Sequence, residues 1–374
     1  MTEPRLRRVL LLYISKVSGH RQGAVAIQKS LKNLNPDCEV KSINGFAYTY
    51  PLMEKIVNTA YLGVIKRVPQ IWEFLYDNPK IIKVSKKLKE SIHKSSHKKF
   101  KLLFDEFKPD VVVCTQAFPC GMVADYKKTH HLPIKVIGVL TDFAPHLYWL
   151  HEGVDYYVVP SQDAKKRYMN EGIKEDQIKV FGIPIRMKFA EKLDHAATAQ
   201  KLRLDVHVPT VLVMGGGQGL GPMKDAVKSL VRLDRPLQII VIAGTNVKLV
   251  RWLKKVQRQS SKKIIFYEYA NNVDELMEVS TLIISKPGGM TTSECLAKGL
   301  PMVIVDPIPG QEERNSQFLV KSGIAIRVDD KKQIGGAIET LLSNPSKLKS
   351  MREAAFKYGK PMAAEDIARL VLSG

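Results

Sequence analysis

The stretch KPGGMTTSE, residues 286–294, is the part of the sequence best suited to hold an anion. It follows the apolar run 282–285, and its glycines free the backbone at the turn into a predicted helix. Thr291 and Thr292 are good amino-terminal caps, and the first turn of a helix presents unpaired N–H groups. The stretch therefore predicts a strand-to-helix turn that binds an anion.

Two further loops in the same half of the chain are small, polar and rich in glycine. In TVLVMGGGQGLGPMKDAV, five glycines including Gly216 and Gly217 separate a predicted strand from a helix. Such a turn lets a phosphate approach backbone N–H groups, although it fits neither the Walker pattern nor the full dinucleotide fingerprint. Taken alone, it is equally consistent with an empty tight turn. The run QIIVIAGTN, which ends with Gly244 and Asn246, supplies the third loop.

Acidic and amide side chains next to these loops suit the hydroxyls of a nucleotide sugar. Glu294 lies one turn into the KPGG helix, where a carboxylate can bind ribose or simply complement the helix dipole. We favour ribose because the glycine loops already imply a nucleotide. Gln311, Glu312 and Asn315 stand on a loop bracketed by proline and glycine, and they predict either a sugar site or an ordinary helix start with surface charges.

The first half of the chain contains two candidates for a general base. His20 opens an amphipathic helix after the first predicted strand, where a histidine is either a base or a helix cap. Asp142 ends the run KVIGVLTD and either acts as the base or orients His20. His146 and Trp149, which follow Asp142, predict a polar and aromatic lining for an acceptor.

Short β-branched runs alternate with helical stretches along nearly the whole chain, which is typical of parallel α/β sheets. We predict a domain over 1–185, a connector with a short helix over 186–208 and a second domain over 209–355. The helix at about 356–374 is expected to pack back on the first domain. The expected fold is two doubly wound, Rossmann-like domains facing a cleft. The predicted strands are 9–15, 110–115, 135–141, 156–160, 178–181, 210–214, 238–243, 264–267, 282–285, 302–305 and 325–328.

The 374 residues carry a net charge of +21, which favours a polyanionic partner such as nucleic acid, anionic lipid or a nucleotide. The amino terminus does not have the pattern of a secretory signal, and no stretch approaches the length of a membrane span. The four cysteines lack the spacing of a zinc site. These features predict a cytoplasmic or membrane-surface protein without a metal.

The segment between residues 51 and 101 combines an apolar helical face with many lysines. It is either a packed helix with a solvated lysine surface or an interfacial segment that docks on anionic lipid. We favour docking on a membrane. The residues expected to take part are Trp72, Lys86, Lys87, Lys98 and Lys99.

The strings SKPGGMTTSE and PIPGQEERN, with GGGQG upstream, resemble the donor half of family 28 glycosyltransferases of the GT-B fold. The resemblance extends through LTDFAPHLYWLHEGVDYYVVPS and VFGIPIR and is strongest to diacylglycerol glycosyltransferases. It implies a metal-independent diphosphate site on the glycine loops, a ribose-binding glutamate and a Gln-Glu pair that holds the sugar. The donor residues implied or expected are Gly216, Gly217, Gly244, Asn246, Tyr269, Ala270, Gly289, Met290, Thr291, Glu294, Gln311 and Glu312.

The same resemblance favours His20 as the catalytic base, because the family carries a G-x-G-H loop at this position. This sequence departs from the loop because Val17 replaces the first glycine. The expected activity is inverting transfer of glucose or galactose from a UDP-hexose to a diacylglycerol-type lipid, on the inner face of the cell membrane and with no cofactor. The alternatives are transfer to a polyprenyl-diphosphate cell-wall intermediate and, against our expectation, a basic nucleic-acid-binding protein.

Overall fold

The computed structural model of the protein describes residues 7–15, 18–51, 96–144 and 146–373. Within them the chain forms two compact units. Unit 1 comprises Met1–Met187, Pro309–Gln311 and Pro361–Gly374, and unit 2 comprises Lys188–Ile308 and Glu312–Lys360. Each unit is built on one parallel six-stranded sheet.

The sheet of unit 1 has the strand order β2-β1-β3-β4-β5-β6. Its central strands β1, β3 and β4 are buried, and apolar clusters line both faces of the sheet, which explains their near-continuous apolar sequences. Helical residues 96–107 also belong to this unit. The strands are β1 Arg8–Tyr13, β2 Glu39–Asn44, β3 Val111–Cys114, β4 Lys135–Val139, β5 Tyr156–Val158 and β6 Ile178–Lys179. The helices are α1 Gly19–Leu34, α2 Gly45–Thr49, α3 Ala117–His130 and α4 Gln162–Asn170.

The sheet of unit 2 has the strand order β12-β11-β10-β7-β8-β9. Its strands are β7 Thr210–Met214, β8 Gln238–Ile242, β9 Lys263–Tyr267, β10 Leu282–Ser285, β11 Met302–Val305 and β12 Ala325–Val328. The helices after residue 187 are α5 His195–Lys201, α6 Met223–Arg232, α7 Val247–Gln259, α8 Val273–Glu278, α9 Gly289–Lys298, α10 Gln311–Lys321, α11 Ile334–Leu342, α12 Pro345–Tyr358 and α13 Ala363–Leu372.

One strand was not predicted from the sequence. β2, with the sequence EVKSIN, is an edge strand that pairs only with β1 among the described strands and is only partly buried. Its polar side chains are tolerated because an edge strand needs less apolar surface than a central one. The eleven predicted strands are all present, with ends that differ by a few residues.

The last helix, α13, belongs to unit 1 although it follows unit 2 in sequence. Its Ile367, Ala368 and Val371 are buried in one apolar cluster with Ile27 and Leu31 of α1. The return to unit 1 begins at Pro361, whereas the sequence placed it at about 356. In the predicted connector, α5 is the short helix, and the residues from Lys188 onward belong to unit 2.

Candidate active site

The three glycine-bearing loops of unit 2 lie together because the strands before them are neighbours. β7 pairs with β10 on one side and with β8 on the other, so that Met214 lies opposite both Ser285 and Ile242. All three strands are parallel, and loops that follow parallel strands leave the same edge of the sheet. The sheet order therefore brings the three predicted phosphate-binding loops to one place.

The loop after β7 and the loop after β8 pack backbone against backbone. The N–H of Thr245 donates to the carbonyl of Gly217 at 3.1 Å. A Cβ at Gly244 would lie 2.4 Å from that carbonyl oxygen, and a Cβ at Gly219 would lie 2.0 Å from the carbonyl oxygen of Ala243. Both glycines also have a φ of +58°. Only glycine fits this approach, so the glycines are explained by packing as well as by access for a phosphate.

Gly216 and Gly217 form the open part of the turn. Both are exposed, and a Cβ at Gly216 would meet no heavy atom within 4 Å. In the described part of the chain, neither N–H donates to another backbone group. Exposed amides of this kind can donate to an anion, so the predicted role of this loop stays a prediction.

The side chain of Asn246, a predicted donor-site residue, caps a helix. Its Oδ1 accepts from the N–H of Leu249 at 3.0 Å and so caps α7, while its Nδ2 donates to the carbonyl of Gly219 at 3.0 Å. The side-chain amide thus joins the two glycine turns to α7.

The KPGG turn starts α9 without a side-chain cap. Gly288 is the N-cap residue and makes no side-chain hydrogen bond, and the helix itself begins at Gly289. The prediction that Thr291 and Thr292 are caps is wrong, because both lie inside the first helical turns. Thr292 is buried, and its Oγ1 has no hydrogen-bond partner among the described residues. The first N–H groups of α9 consequently remain uncapped by a side chain.

A buried asparagine holds the KPGG turn through a hydrogen bond. Asn315 in α10 is fully buried, and its Nδ2 donates to the carbonyl of Pro287 at 2.9 Å. Glu312, one turn earlier in the same helix, accepts through Oε2 from the N–H of Ile308 at 2.8 Å. Its Oε1 lies 3.8 Å from the position that a Cβ on Gly288 would occupy. The predicted Glu312 therefore lies beside the KPGG turn.

Lys286 is a candidate residue that the sequence analysis did not single out. Its side chain lies along Gly221, with Cδ 3.6 Å from the position of a Cβ there. Its Nζ is 3.7 Å from Oε2 of Glu312 and 4.0 Å from Oδ2 of Asp306. The side chain is only 13% exposed. A cation thus stands between the glycine turn and Glu312; its position directly after a buried strand was the available signal.

The other predicted donor residues occupy the ends of neighbouring elements. Met290, Thr291 and Glu294 are half-buried in α9. Tyr269 is 62% exposed and Ala270 is buried, and both follow β9, the strand next to β8. Gln311 is the first residue of α10. No described residue set of three or more His, Cys, Asp or Glu side chains is arranged to hold a metal ion.

In unit 1, His20 is held at the carboxyl edge of three adjacent strands. β3 pairs with β1 and with β4, which brings the segments after these strands to the same edge. Nδ1 of His20 lies 2.9 Å from the carbonyl oxygen of Thr115 and 2.9 Å from Oγ1 of Thr141. The Thr115 hydroxyl in turn donates to the carbonyl of His20 at 2.9 Å. Side chain and backbone of His20 are therefore both fixed.

These contacts determine the state of the imidazole. A carbonyl oxygen only accepts, so Nδ1 carries the proton and Nε2 carries the lone pair. Burial lowers the pKa of His20 to about 4, against the opposing effect of the hydrogen bond to Thr115. At neutral pH the ring is neutral, and Nε2 is able to accept a proton, although as a weaker base than an exposed histidine.

Asp142 directly follows Thr141, the residue whose hydroxyl contacts His20. It is half-buried and lies just beyond the end of β4. The two predicted base candidates thus occupy the same edge of the unit 1 sheet, within adjacent loops. Val17, where the sequence departs from the family loop, is outside the described residues.

Trp149 and His146, which the sequence predicted to line an acceptor site, are both buried. Trp149 is 7% exposed and packs in the main apolar cluster of unit 1, where its Cε3 would lie 3.3 Å from a Cβ on Gly138. His146 is buried, stacks on Tyr148 and accepts through Nδ1 from the Tyr148 N–H at 3.0 Å. Both rings are therefore packed against other side chains of unit 1.

The predicted lipid-docking residues are only partly described. Trp72, Lys86 and Lys87 lie outside the described residues. Lys98 and Lys99 are exposed on the helical segment 96–107. Among the helices of the described ranges, none has the length and apolar character needed to cross a bilayer.

Known protein families match both units. The model described as monogalactosyldiacylglycerol (MGDG) synthase matches residues 20–185, and that described as glycosyltransferase family 28 C-terminal domain matches residues 210–368. A processive diacylglycerol beta-glucosyltransferase of Bacillus mycoides is 31% identical over 98% of this chain and 93% of its own length. A protein of the same name from Bacillus thuringiensis is also 31% identical, with the same coverage.

Solved structures share the fold. MurG of Acinetobacter baumannii superposes with a TM-score of 0.67 at 16% identity, over 98% of this chain and 100% of that one. The calicheamicin glycosyltransferase CalG4 superposes with a TM-score of 0.65 at 11% identity, over 99% of both chains. The predicted fold class, two doubly wound α/β domains of the GT-B type, is confirmed.

Fold and matched domains thus define a glycosyltransferase of the GT-B class. The chain belongs to the family of the diacylglycerol glycosyltransferases, whose members include the processive diacylglycerol beta-glucosyltransferases. The resemblance stated from the sequence is confirmed.

Proposed function

We propose that the protein transfers a hexose from a UDP-sugar to the free hydroxyl of diacylglycerol or of a glycosyl-diacylglycerol, and so makes a membrane glycolipid. The observation that carries this proposal is the meeting of three glycine loops at one edge of the unit 2 sheet, in a chain whose curated relatives are named diacylglycerol beta-glucosyltransferases. The named relatives supply the acceptor class, and the loops supply a site for the donor.

The diphosphate of the donor binds to amides and to a lysine. The exposed N–H groups of Gly216 and Gly217, the uncapped start of α9 at Gly289 and the cation of Lys286 all favour negative charge. They surround the oxygen on which charge develops when UDP leaves, so they stabilise the leaving group as well as the ground state. We propose that this set does the work without a metal.

Glu294 and Glu312 bind the two sugars of the donor. Glu294, in α9 beyond the KPGG turn, accepts from the ribose hydroxyls, and Glu312, beside Gly288, accepts from hydroxyls of the hexose together with Gln311. Tyr269 and Ala270 lie after β9 and meet the base.

The reaction is a single displacement with inversion. The acceptor hydroxyl oxygen forms a bond to the anomeric carbon while the bond from that carbon to the UDP oxygen breaks, and the hydroxyl proton moves to a base. Nε2 of His20 has the required lone pair because Nδ1 is protonated toward Thr115. Asp142 is the rival base or orients the ring. An α-linked donor therefore gives a β-linked product.

The acceptor is a bilayer lipid, so the enzyme works as a peripheral protein at the cytoplasmic face of an anionic membrane. This agrees with the net charge of +21 and with the names of the relatives. The lysines expected to contact lipid include Lys98 and Lys99, which are exposed.

The test is to incubate purified protein with labelled UDP-glucose or UDP-galactose and dispersed diacylglycerol, with and without a chelator. We expect label in the lipid phase from one donor at an undiminished rate in chelator. Absence of lipid label from either donor would overturn the activity. Label that requires an added divalent cation would overturn the metal-free mechanism alone, and label entering only a polyprenyl diphosphate would replace the acceptor.

A further inference from the structure

The outer surface of α6 and α7 in unit 2 carries a dense set of cations that the donor site does not use. α7 has no acidic residue along its thirteen positions. Five of its basic side chains are exposed, and three more are exposed on α6. The residues of this basic surface are Lys224, Lys228 and Arg232 of α6 and Lys248, Arg251, Lys254, Lys255 and Arg258 of α7.

The two helices form one continuous surface. Nζ of Lys224 lies 5.7 Å from the centre of the Trp252 ring, so α6 and α7 are in direct contact across this pair. Trp252 packs against the apolar cluster beneath, which leaves the cations on the outside. The cations of both helices therefore lie on one surface.

Within the described residues, none of these eight cations is paired with a carboxylate. Solvated helix faces usually alternate the two signs, because opposite charges three or four residues apart stabilise a helix and like charges destabilise it. Here like charges repeat at that spacing, as in Lys224 and Lys228, or Arg251 and Lys255. A surface that retains this repulsion is explained by an anionic partner.

The position of the surface relates it to the donor loops. α7 starts directly after the loop that contains Gly244 and Asn246, at the carboxyl edge of the sheet. Val247, its first residue, is 58% exposed. An exposed apolar side chain next to dense cations is typical of helices that lie at a lipid interface.

We propose that the basic surface of α6 and α7 docks unit 2 on the anionic head groups of a bilayer, as a second lipid contact apart from Lys98 and Lys99. The inference rests on the proposed function, because a lipid acceptor requires the donor unit to work at a membrane. The surface attracts the lipid phosphates through charge, and Val247 reaches the apolar boundary.

The test is flotation of the full-length protein with vesicles of phosphatidylcholine alone or with about a third phosphatidylglycerol. The variant R251Q/K254Q/K255Q/R258Q removes four cations from this surface. A matched control, K347Q/K349Q/R352Q/K357Q, removes four exposed cations from α12 and so gives the same net charge. Each cation near an anionic bilayer is worth about fivefold in binding, so the α7 variant should bind anionic vesicles at least tenfold more weakly than the control.

Three measurements make the result decisive. UDP affinity, measured by calorimetry, should be equal in both variants and the wild type, which reports that unit 2 is folded. Equal vesicle binding by the two variants overturns the proposal. Loss of binding to an RNA oligonucleotide with vesicle binding kept overturns it in favour of a nucleic-acid partner. Vesicle binding needs no donor, so its outcome is independent of whether the protein transfers a hexose to lipid.

Discussion

The candidate sites of the two units are built from different parts of the chain. In unit 2 the proposed donor site consists largely of backbone: exposed amides at Gly216 and Gly217, an uncapped helix start and two glycine turns in close contact. In unit 1 the candidate catalytic site is a side chain, His20, held by contacts with Thr115 and Thr141, which are 95 and 121 residues away.

This difference explains why the sequence predicted the donor site of unit 2 more specifically than the catalytic site of unit 1. A backbone site needs glycines next to one another in sequence, so its signature is local and specific. A side-chain site needs neighbours supplied by other strands, and its sequence signature reduces to single residues. Mutations should therefore act differently: substitutions in unit 2 should change donor affinity, whereas substitutions around His20 should change turnover with affinity retained.

The largest expected effect is that of His20→Ala. Loss of a general base lowers turnover by roughly 10²- to 10⁴-fold, and UDP affinity should stay within about twofold of wild type because His20 is absent from the donor loops. Initial rates and UDP calorimetry measure the two quantities. The turnover of the companion variant Asp142→Asn shows how much the rival base contributes. A fully active His20→Ala enzyme would mean that Asp142, not His20, is the base.

Gly244→Ala tests the backbone character of the donor site. A methyl group there would lie 2.4 Å from the carbonyl oxygen of Gly217, so the two turns must separate. We expect UDP affinity to fall by about 100-fold, since the amides are displaced by a large fraction of a hydrogen-bond length.

Gly323→Ala is the matched control for Gly244→Ala. Gly323 also has a positive φ, +72°, but its Cβ position has no heavy atom within 4 Å. It should lose only about 1 kcal/mol of stability from backbone strain and keep its UDP affinity. Equal UDP affinities of the two variants would contradict a donor site made of packed turns.

Lys286→Met tests the cation that the sequence analysis overlooked. Loss of a charge-assisted hydrogen bond to phosphate costs about 1.5–3 kcal/mol, so UDP affinity should fall by roughly 10- to 100-fold. Lys321→Met, at an exposed lysine of α10, is the control and should bind UDP normally. Isothermal titration measures both. Unchanged affinity in Lys286→Met would remove the lysine from the diphosphate site.

Thr115→Val separates positioning from catalysis. The substitution keeps the shape but leaves the carbonyl of His20 without the Thr115 hydroxyl, and the threonine is fully buried. We expect about 1–3 kcal/mol less stability and a lower turnover at unchanged UDP affinity. Thr115→Ser keeps the hydroxyl and should restore turnover. A Thr115→Val enzyme with normal turnover would show that the ring is held without this bond.

The smallest expected effect is on the pH dependence of stability. The pKa of His20 is about 4 in the folded protein, below the ordinary value of 6.5, so the folded state favours the neutral ring. Stability from this residue is full above pH 6.5 and is lost as pH falls from 6.5 to 4, by about 1–2 kcal/mol after solvent screening. Urea unfolding of wild type and His20→Gln at pH 7 and 4.5 measures the difference. An equal pH dependence in the two proteins would contradict the lowered pKa.

The α/β fold followed from the period of apolar runs, because a parallel strand buried on both faces must be apolar along its length. β2 was missed because an edge strand is free of that constraint. Thr291 and Thr292 were predicted as helix caps from their residue types, whereas the structure places both inside the first turns of α9. Asn246, predicted near the donor, caps α7. A polar residue near a helix start has several possible partners, and the choice depends on the neighbouring loop.

The sequence alone determined the class of fold, the glycine loops and the family, because each of these depends on residues that are close together in the chain. The tertiary structure decided which polar atoms are available to a ligand. In the tertiary structure Trp149 packs in the apolar core, and Lys286 lies between the glycine turn and Glu312. The contact of His20 with the Thr115 carbonyl places the imidazole proton on Nδ1. These outcomes depend on strand order, which brings distant segments to one edge of a sheet and which residue spacing does not encode.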